Sequence, residues 1–262
     1  MRIYLICWEE GIMNRVAVID ADIFLYKACR VGEREVDWGD EQWILWSDLN
    51  NVKTIIDDQI SLVVEQMEAD RLILCFSDKA NFRKEINPEY KAHRKGDRKP
   101  MCFLPALAYC KDKYPYQIFP TLEADDTIGI IGTTPSKTNE YVIVSDDKDL
   151  LTIPGLHWDK ELKLVYAIDK ETADFNFYAQ TLVGDPVDNY KGCPKVGKVT
   201  AEKILRKAER EGQDLWSAVV ETYEKAHMTK EDALLNARMA RILRNGEYNR
   251  QTHEVNLFEG EV

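Results

Sequence analysis

The chain has 262 residues, 45% of them hydrophobic and 31% charged, a composition that supports a folded globular protein and excludes disorder as the default. With 46 acidic against 35 basic residues the net charge is −11, which excludes a uniformly basic surface for wrapping nucleic acid, so any such contact has to be local. No stretch approaches the ~18 apolar residues of a membrane span, and the apolar run at residues 3–8 is too short for a secretory signal, so a cytoplasmic protein with no membrane partner is expected.

At the N-terminus, Glu9-Glu10-Gly11 must be encoded as GAR-GAR-GGN, a purine run like a bacterial ribosome-binding site just before the Met13 codon. Translation is therefore expected to start at Met13, which the intact mass of protein expressed from its native upstream DNA decides. Three apolar runs follow with one design: Val16 to Asp20, Leu72 to Asp78 and Tyr141 to Asp147 are short, rich in β-branched or aromatic residues, and end in carboxylate. Runs apolar on both faces predict strands of a buried parallel sheet with helices between them, such as one from Trp43 to Met67. The fold class is then α/β, and acids beyond the carboxyl ends of parallel strands converge on one crevice. A single Asp there is more simply a turn or helix-cap residue; three together favour a site. Glu123-Ala-Asp-Asp126 precedes an apolar helix, Thr127 to Ile131, where acids are also favoured by the helix dipole. After residue 188 the sequence turns Lys-rich and helical, with helices predicted over Thr200 to Ala208, Leu215 to Tyr223 and Lys230 to Leu243, the last after a capping box at Thr229. The six cysteines show no C-x-x-C spacing and the four histidines no zinc spacing, which predicts reduced, mostly buried thiols.

The strongest chemical signal is a set of acids at loop and helix-start positions: Asp20, Asp22, Asp78, Glu123, Asp125, Asp126, Asp146, Asp147, Asp149, Asp185 and Asp188. Mutual repulsion makes such a set costly without cations, and carboxylate oxygens lacking His or Cys partners suit Mg²⁺ or Mn²⁺. Abundant surface acids clustering by chance and structural Ca²⁺ are the alternatives, although no EF-hand spacing is present. Two ions ~3.5–4 Å apart are the usual device for phosphodiester hydrolysis, and this inventory is large enough to hold them.

The positive charge is concentrated in two places. Lys79, Arg83, Lys84, Lys91, Arg94, Lys95, Arg98, Lys99, Lys111 and Lys113 form a basic island containing Phe82, Tyr90 and His93, a pattern that fits phosphate contact with base stacking as well as a solvated basic helix. Residues 191–201 form a second region, where Gly192 and Gly197 at a helix start can expose backbone N–H groups to phosphate, close behind the acids of Gly184-Asp-Pro-Val-Asp-Asn189.

Taken in order, Val16-Ala-Val-Ile-Asp20, Phe82-Arg-Lys-Glu85, residues 88–94, Glu123-Ala-Asp-Asp126, Asp147-Lys-Asp149, residues 184–189 and the helix start at 192–201 resemble the metal-dependent 5′-nucleases. That family includes phage 5′-exonucleases, flap endonucleases and the 5′-nuclease domain of bacterial DNA polymerase I. Residues 76–85, Thr152-Ile-Pro154 and residues 239–249 are similar in particular to exonucleases of T-seven-type short-tailed bacteriophages. The resemblance implies a PIN-like core over residues 13–188 with a basic helical arch at about 79–113, then a helix-three-turn-helix and helical section over 189–262. It implies two Mg²⁺ ions, with Mn²⁺ able to substitute: Asp20, Asp78, Glu123, Asp125 and Asp126 for the first, Asp147, Asp149, Asp185 and Asp188 for the second. A monovalent cation at the helix-three-turn-helix is optional. Lys91 and Arg94 match catalytic basic residues of the arch, with Arg83, Lys84 and Tyr90 beside them on DNA, and Lys195, Gly197, Lys198 and Thr200 match the duplex-gripping loop. Lys195 stands where the family usually has glycine, Val199 where a lysine often precedes the Thr, and Asp146 where a small residue is usual, as an outer acid or a solvent-facing one.

The implied activity is 5′-to-3′ exonuclease or structure-dependent 5′-nuclease cleavage of duplex DNA bearing a 5′ end, gap or flap, extending to the RNA strand of RNA–DNA hybrids. Separate replication proteins are the implied partners, and the cytoplasm of a host cell is the implied location if the chain is phage-encoded. A PIN-type ribonuclease shares the sheet and acids without needing residues 184–201, and indifference to duplex DNA distinguishes it. A non-catalytic DNA-binding or scaffold protein keeps the basic regions, and it keeps its activities when Asp147 is neutralised.

Overall fold

The three apolar runs ending in carboxylate become the centre of a six-stranded sheet in the computed structural model, which describes residues 13–260 except Lys95. The expectation about Met13 turns on residues 1–12, which lie outside the described residues. In chain order, β1 (Asn14–Asp20) leads into α1 (Ala21–Val31), an antiparallel hairpin of β2 (Glu33–Asp37) and β3 (Trp43–Ser47), then α2 (Leu49–Met67) and β4 (Arg71–Cys75). The expected helix over Trp43 to Met67 is thus a strand for its first five residues. Trp, Ile and Leu there pair with β2, and Asp48 starts the helix by accepting a hydrogen bond from the Asn50 N–H.

The central pairings are parallel. Val18 is in register with Ile73 of β4 and with Ile143 of β6 (Asn139–Val144), so that Asp20 and the Ser145–Asp147 segment leave the sheet at the same edge. Period-two alternation divides β1 between two cores. Ala17 and Ile19 pack on α1, α2 and α4 (Phe103–Lys113), whereas Val18 packs with Ile128 and Ile131 of α5 (Ala124–Gly132). The short β5 (Tyr116–Gln117) pairs parallel with β4, β7 (Gly155–Asp159) parallel with β6, and β8 (Leu164–Ile168) antiparallel with β7. A second core joins α6 (Lys170–Val183), α7 (Lys198–Glu211), α8 (Leu215–Lys225) and α9 (Lys230–Ala240). The capping box at Thr229 is formed with Asp232. The helix expected to run to Leu243 ends at Ala240, because Arg241 to Leu243 is drawn into contact with α5.

The basic arch is smaller and less helical than expected. Among the described residues between β4 and α4 the chain forms only α3 (Phe82–Ile86) and a single 3₁₀ turn at Ala92–Arg94, consistent with Pro88, Gly96 and Pro100 interrupting the segment. The expected arch also includes α4, but α4 packs on α1 and α2: Lys113 pairs with Asp57 at 2.7 Å and Lys111 lies over Phe76 and Tyr116. Those two lysines serve the core's rim. Cys29, Cys75, Cys102, Cys110 and Cys193 are free thiols, all buried but the half-buried Cys102. Among the described residues no helix is long and apolar enough to cross a membrane.

One buried group makes the fold pH-sensitive. His157 on β7 shares a 2.9 Å hydrogen bond between Nε2 and the Ile153 carbonyl, and burial pushes its pKa down to about 4. The unfolded chain therefore takes up a proton near pH 6.5 that the folded one refuses until about pH 4, so stability is full above that range and falls with pH through it. His157→Gln is expected to remove about 2 kcal/mol of the stability lost between pH 7 and pH 5, read as the difference between urea unfolding of the two proteins. Identical pH slopes for both would reject this origin.

Candidate active site

Parallel strands deliver several acids to one edge, and two serines tie them together. Asp20, the last residue of β1, is buried; it caps α1 through the Ile23 N–H at 3.3 Å and accepts a 2.7 Å hydrogen bond from Ser145 Oγ. Ser145 Oγ in turn accepts from the Asp147 N–H at 3.0 Å, and Asp147 caps the 3₁₀ helix Lys148–Thr152 by accepting from the Asp149 N–H. Asp22, in the first turn of α1, accepts from the Ser77 N–H at 3.0 Å, while Ser77 Oγ accepts from the Ala124 N–H that begins α5. Asp125 follows on that helix. Burial raises the Asp20 carboxyl to about 6, with Asp22 and Asp147 adding to the rise. Burial raises Asp125 well above the usual range, reinforced by Asp20 and Glu123 and opposed by Lys91.

Across from these acids stands a second set. Asp149 is raised to about 6 by burial and by Asp147, Asp185 and Asp188. Asp185, two residues beyond α6, is buried and accepts from the Val187 N–H at 2.7 Å; Lys148 Nζ lies 3.8 Å from Asp149 and 3.9 Å from Asp185. Between the two sets sits Lys91, whose Nζ is 2.6 Å from Glu123 and 3.3 Å from Asp188. Tyr90 Oη lies 2.8 and 2.9 Å from the same two carboxylates, with one proton to share between them, and Arg94 donates to Asp188 at 2.8 Å. Burial alone would raise the Glu123 carboxyl, but Lys91 and Arg83 overcome it and hold it at about 2.

Four sequence-predicted residues take other places. Asp126 is fully buried with all its acceptor capacity engaged: Arg83 donates to both oxygens at 2.6 and 2.7 Å, the Leu243 N–H to Oδ1 at 3.1 Å and the Glu123 N–H to Oδ2 at 3.3 Å. Asp126 is thus tied into the fold through both oxygens. Arg83, 2% exposed, donates to this carboxylate and to the carbonyls of Met239 and Arg241. Tyr90, also 2% exposed, faces the carboxylates and offers no ring to a base. Asp78 accepts a hydrogen bond from the Thr121 N–H at 2.9 Å, which lowers its pKa, and its own N–H donates to the Leu122 carbonyl, so it ties the end of the second central strand to the segment that precedes α5. Asp22 takes its place beside Asp20; the available signal was its position two residues past a strand-end acid. Asp146 is paired with Lys27 and Lys160 at the surface.

Among the described residues no three acidic, His or Cys side chains are drawn close enough to hold an ion by themselves. The donor chemistry nevertheless fits a hard divalent cation: carboxylate oxygens alone, several buried against their own repulsion, with the ammonium of Lys91 already placed among them.

In the second basic region, Lys195, Gly197, Lys198 and Thr200 are all exposed at the start of α7, as is Lys84 on α3. Lys195 has φ +65°, a left-handed conformation that explains why a glycine is usual there. Gly192 has a different task from the one expected. Its N–H donates to Asn236 Oδ1 inside the protein, and its backbone crosses that of Gly184 so closely that a Cβ on either would lie 2.4 Å from the other's nitrogen.

Comparison with known proteins adds the family. A profile of the 5′-3′ exonuclease N-terminal resolvase-like domain matches residues 15–181. The exodeoxyribonuclease of Enterobacteria phage T3 is 30% identical over 288 aligned positions, covering 96% of this chain and 94% of that protein. The exonuclease of Escherichia phage T7 is 30% identical over 289, with the same coverage. In three dimensions the fold is similar to the 5′-exonuclease of bacteriophage T5 with bound zinc, at TM-score 0.65 and 15% identity over 87% of this chain and 89% of that one. The flap endonuclease of the same phage, in a complex with DNA and metal ions, gives 0.63 and 16% with equal coverage. On the profile match, the near full-length similarity to two phage exonucleases and the shared fold, the chain belongs to the 5′-3′ exonuclease family.

Proposed function

We propose that the protein is a divalent-cation-dependent 5′-to-3′ exonuclease that hydrolyses phosphodiester bonds of duplex DNA, with cleavage at gaps and flaps and on the RNA strand of hybrids in the same range. The observation that carries this reading is the pair of carboxylate sets, from the ends of β1 and β6, the start of α5 and the segment after α6, with Lys91 bonded to both. Asp20, Glu123 and Asp125 would hold one Mg²⁺, Asp149, Asp185 and Asp188 the other, with Asp147 between them and Mn²⁺ an acceptable substitute. When bound, such ions supply Lewis-acid stabilisation of the phosphate and activation of water. Tyr90 Oη bridges Glu123 and Asp188 and so sets the spacing of the two sets. Lys91 Nζ and the partly exposed Arg94 are the cations placed to meet phosphate charge as it develops in the transition state. Residues 13–188 would carry the chemistry and 189–262 the grip on the duplex.

Lys84, Lys195, Gly197, Lys198 and Thr200 would contact the DNA backbone without reading bases, which makes binding sequence-tolerant and salt-dependent. Lys198→Ala is accordingly expected to weaken binding equally across sequences and to reduce the slope of log affinity against log salt by about 1. An unchanged slope in a fluorescence titration would take Lys198 off the DNA.

The test of the function is digestion in Mg²⁺ of a duplex labelled at one end or the other, by the wild type and by Asp147→Asn. Early release of short 5′-labelled products, abolished in Asp147→Asn while DNA binding persists, is the expected result. Failure to digest DNA redirects the assignment to a ribonuclease, and equal digestion by the variant removes the proposed site.

A further inference from the structure

The sequence Met239-Ala-Arg-Ile-Leu-Arg244 has no part in the chemistry above, yet it touches both elements that carry the acids. After α9 ends at Ala240 the chain runs extended across α5. There the Leu243 N–H donates to Asp126 Oδ1, and the Arg83 guanidinium, bidentate on Asp126, also donates to the carbonyls of Met239 and Arg241 at 3.1 and 2.5 Å. One residue on, Arg244 donates to the Thr152 carbonyl at 2.8 Å, at the end of the 3₁₀ helix that Asp147 begins. The seat is closely shaped: a Cβ on Gly129 of α5 would lie 2.3 Å from the Leu243 carbonyl oxygen. Asp126 is adjacent to Asp125, and it accepts from the Glu123 N–H as half of the capping box that starts α5.

We propose that Asp126 and Arg83 are positioning residues that join this C-terminal strap to Glu123 and Asp125, so that the seating of the strap tunes the affinity of the active site for divalent cations. The inference rests on the functional reading above. A bidentate guanidinium–carboxylate pair closed on backbone groups from a second element has little freedom, and it holds the start of α5 at a fixed height over the sheet. By thermodynamic reciprocity, whatever the strap contributes to cation binding, cation binding returns to the strap.

The experiment is backbone hydrogen exchange of the full chain without and with saturating Mg²⁺, beside calorimetric Mg²⁺ titration. In the wild type, Mg²⁺ is expected to slow exchange of the Leu243 amide at least about 5-fold although no strap residue is a ligand. If Asp126 were itself a ligand, its oxygen would be drawn away from that amide and exchange would speed up; either faster or unchanged exchange overturns the proposal. Gly129→Ala, which alters no charge and no acid, is expected to raise the Mg²⁺ dissociation constant about 5-fold or more, as are Arg83→Gln and Asp126→Asn. The Arg83→Gln/Asp126→Asn double variant is expected to be no worse than the worse single one, because both break one unit. A purely structural role would lower the thermal midpoints and leave the Mg²⁺ affinity of the folded protein unchanged, and that result also overturns the proposal. Should a variant fail to fold, the wild-type exchange measurement still decides. Absence of any Mg²⁺ binding by the wild type refutes the metal reading itself, and this inference with it; binding with an indifferent Leu243 amide refutes the inference alone.

Discussion

Replacing Asp125 by Asn is expected to lower the Mg²⁺-dependent rate of duplex cleavage at least ~100-fold, since a metal-stabilised transition state draws several kcal/mol from its ligands. The side chain keeps its size, so the start of α5 and its capping box remain intact. DNA affinity is expected to hold or rise, because the change removes a negative charge from a crevice that phosphate enters. The same substitution relieves a buried carboxylate that Asp20 and Glu123 already crowd, so the cation-free protein is expected to gain stability. Activity and stability then move in opposite directions, which unfolding and rate measurements on one preparation show. A variant that cleaves within a few-fold of wild type would remove Asp125 from the site.

Lys91→Ala carries the second large effect. Its ammonium is 15% exposed and bonded to carboxylates from both sets, so it neutralises in part what a divalent cation would neutralise more fully. Its loss is expected to reduce cleavage about 10²- to 10³-fold through the missing phosphate contact. It is also expected to lower the thermal midpoint of the chelator-treated protein and to enlarge the rise in that midpoint on adding Mg²⁺, since the acids lose their internal counter-charge. A fall in activity with no change in the Mg²⁺-induced shift would place Lys91 on the substrate alone. No fall in activity would exclude it from catalysis.

Much of the fold and part of the site could be read along the chain. The three apolar runs predicted the parallel sheet because a strand covered on both faces must be apolar on both, a local property of sequence. Ser145 and Ser77 carried no signal of their own, although they wire Asp20 to Asp147 and cap the start of α5. Nor did the hairpin of β2 and β3, whose second strand lies inside what reads as one long helix.

Residue type determined that this protein has a surplus of strand-end acids, a basic segment following the second central strand and a helical, Lys-rich C-terminal section, since composition and periodicity are properties of the chain alone. Which acids remain free was decided only by tertiary structure. Asp125 and Asp126 are neighbours with the same chemistry, yet folding leaves one buried in the field of Asp20 and Glu123 and bonds the other to Arg83 and the Leu243 amide, groups 43 and 117 residues away. Arg83 and Lys91 likewise belong to one basic segment, and packing against the strap buries the first while the second is left between the two carboxylate sets. A charge has no function until its partner is known, and these partners are brought together by folding.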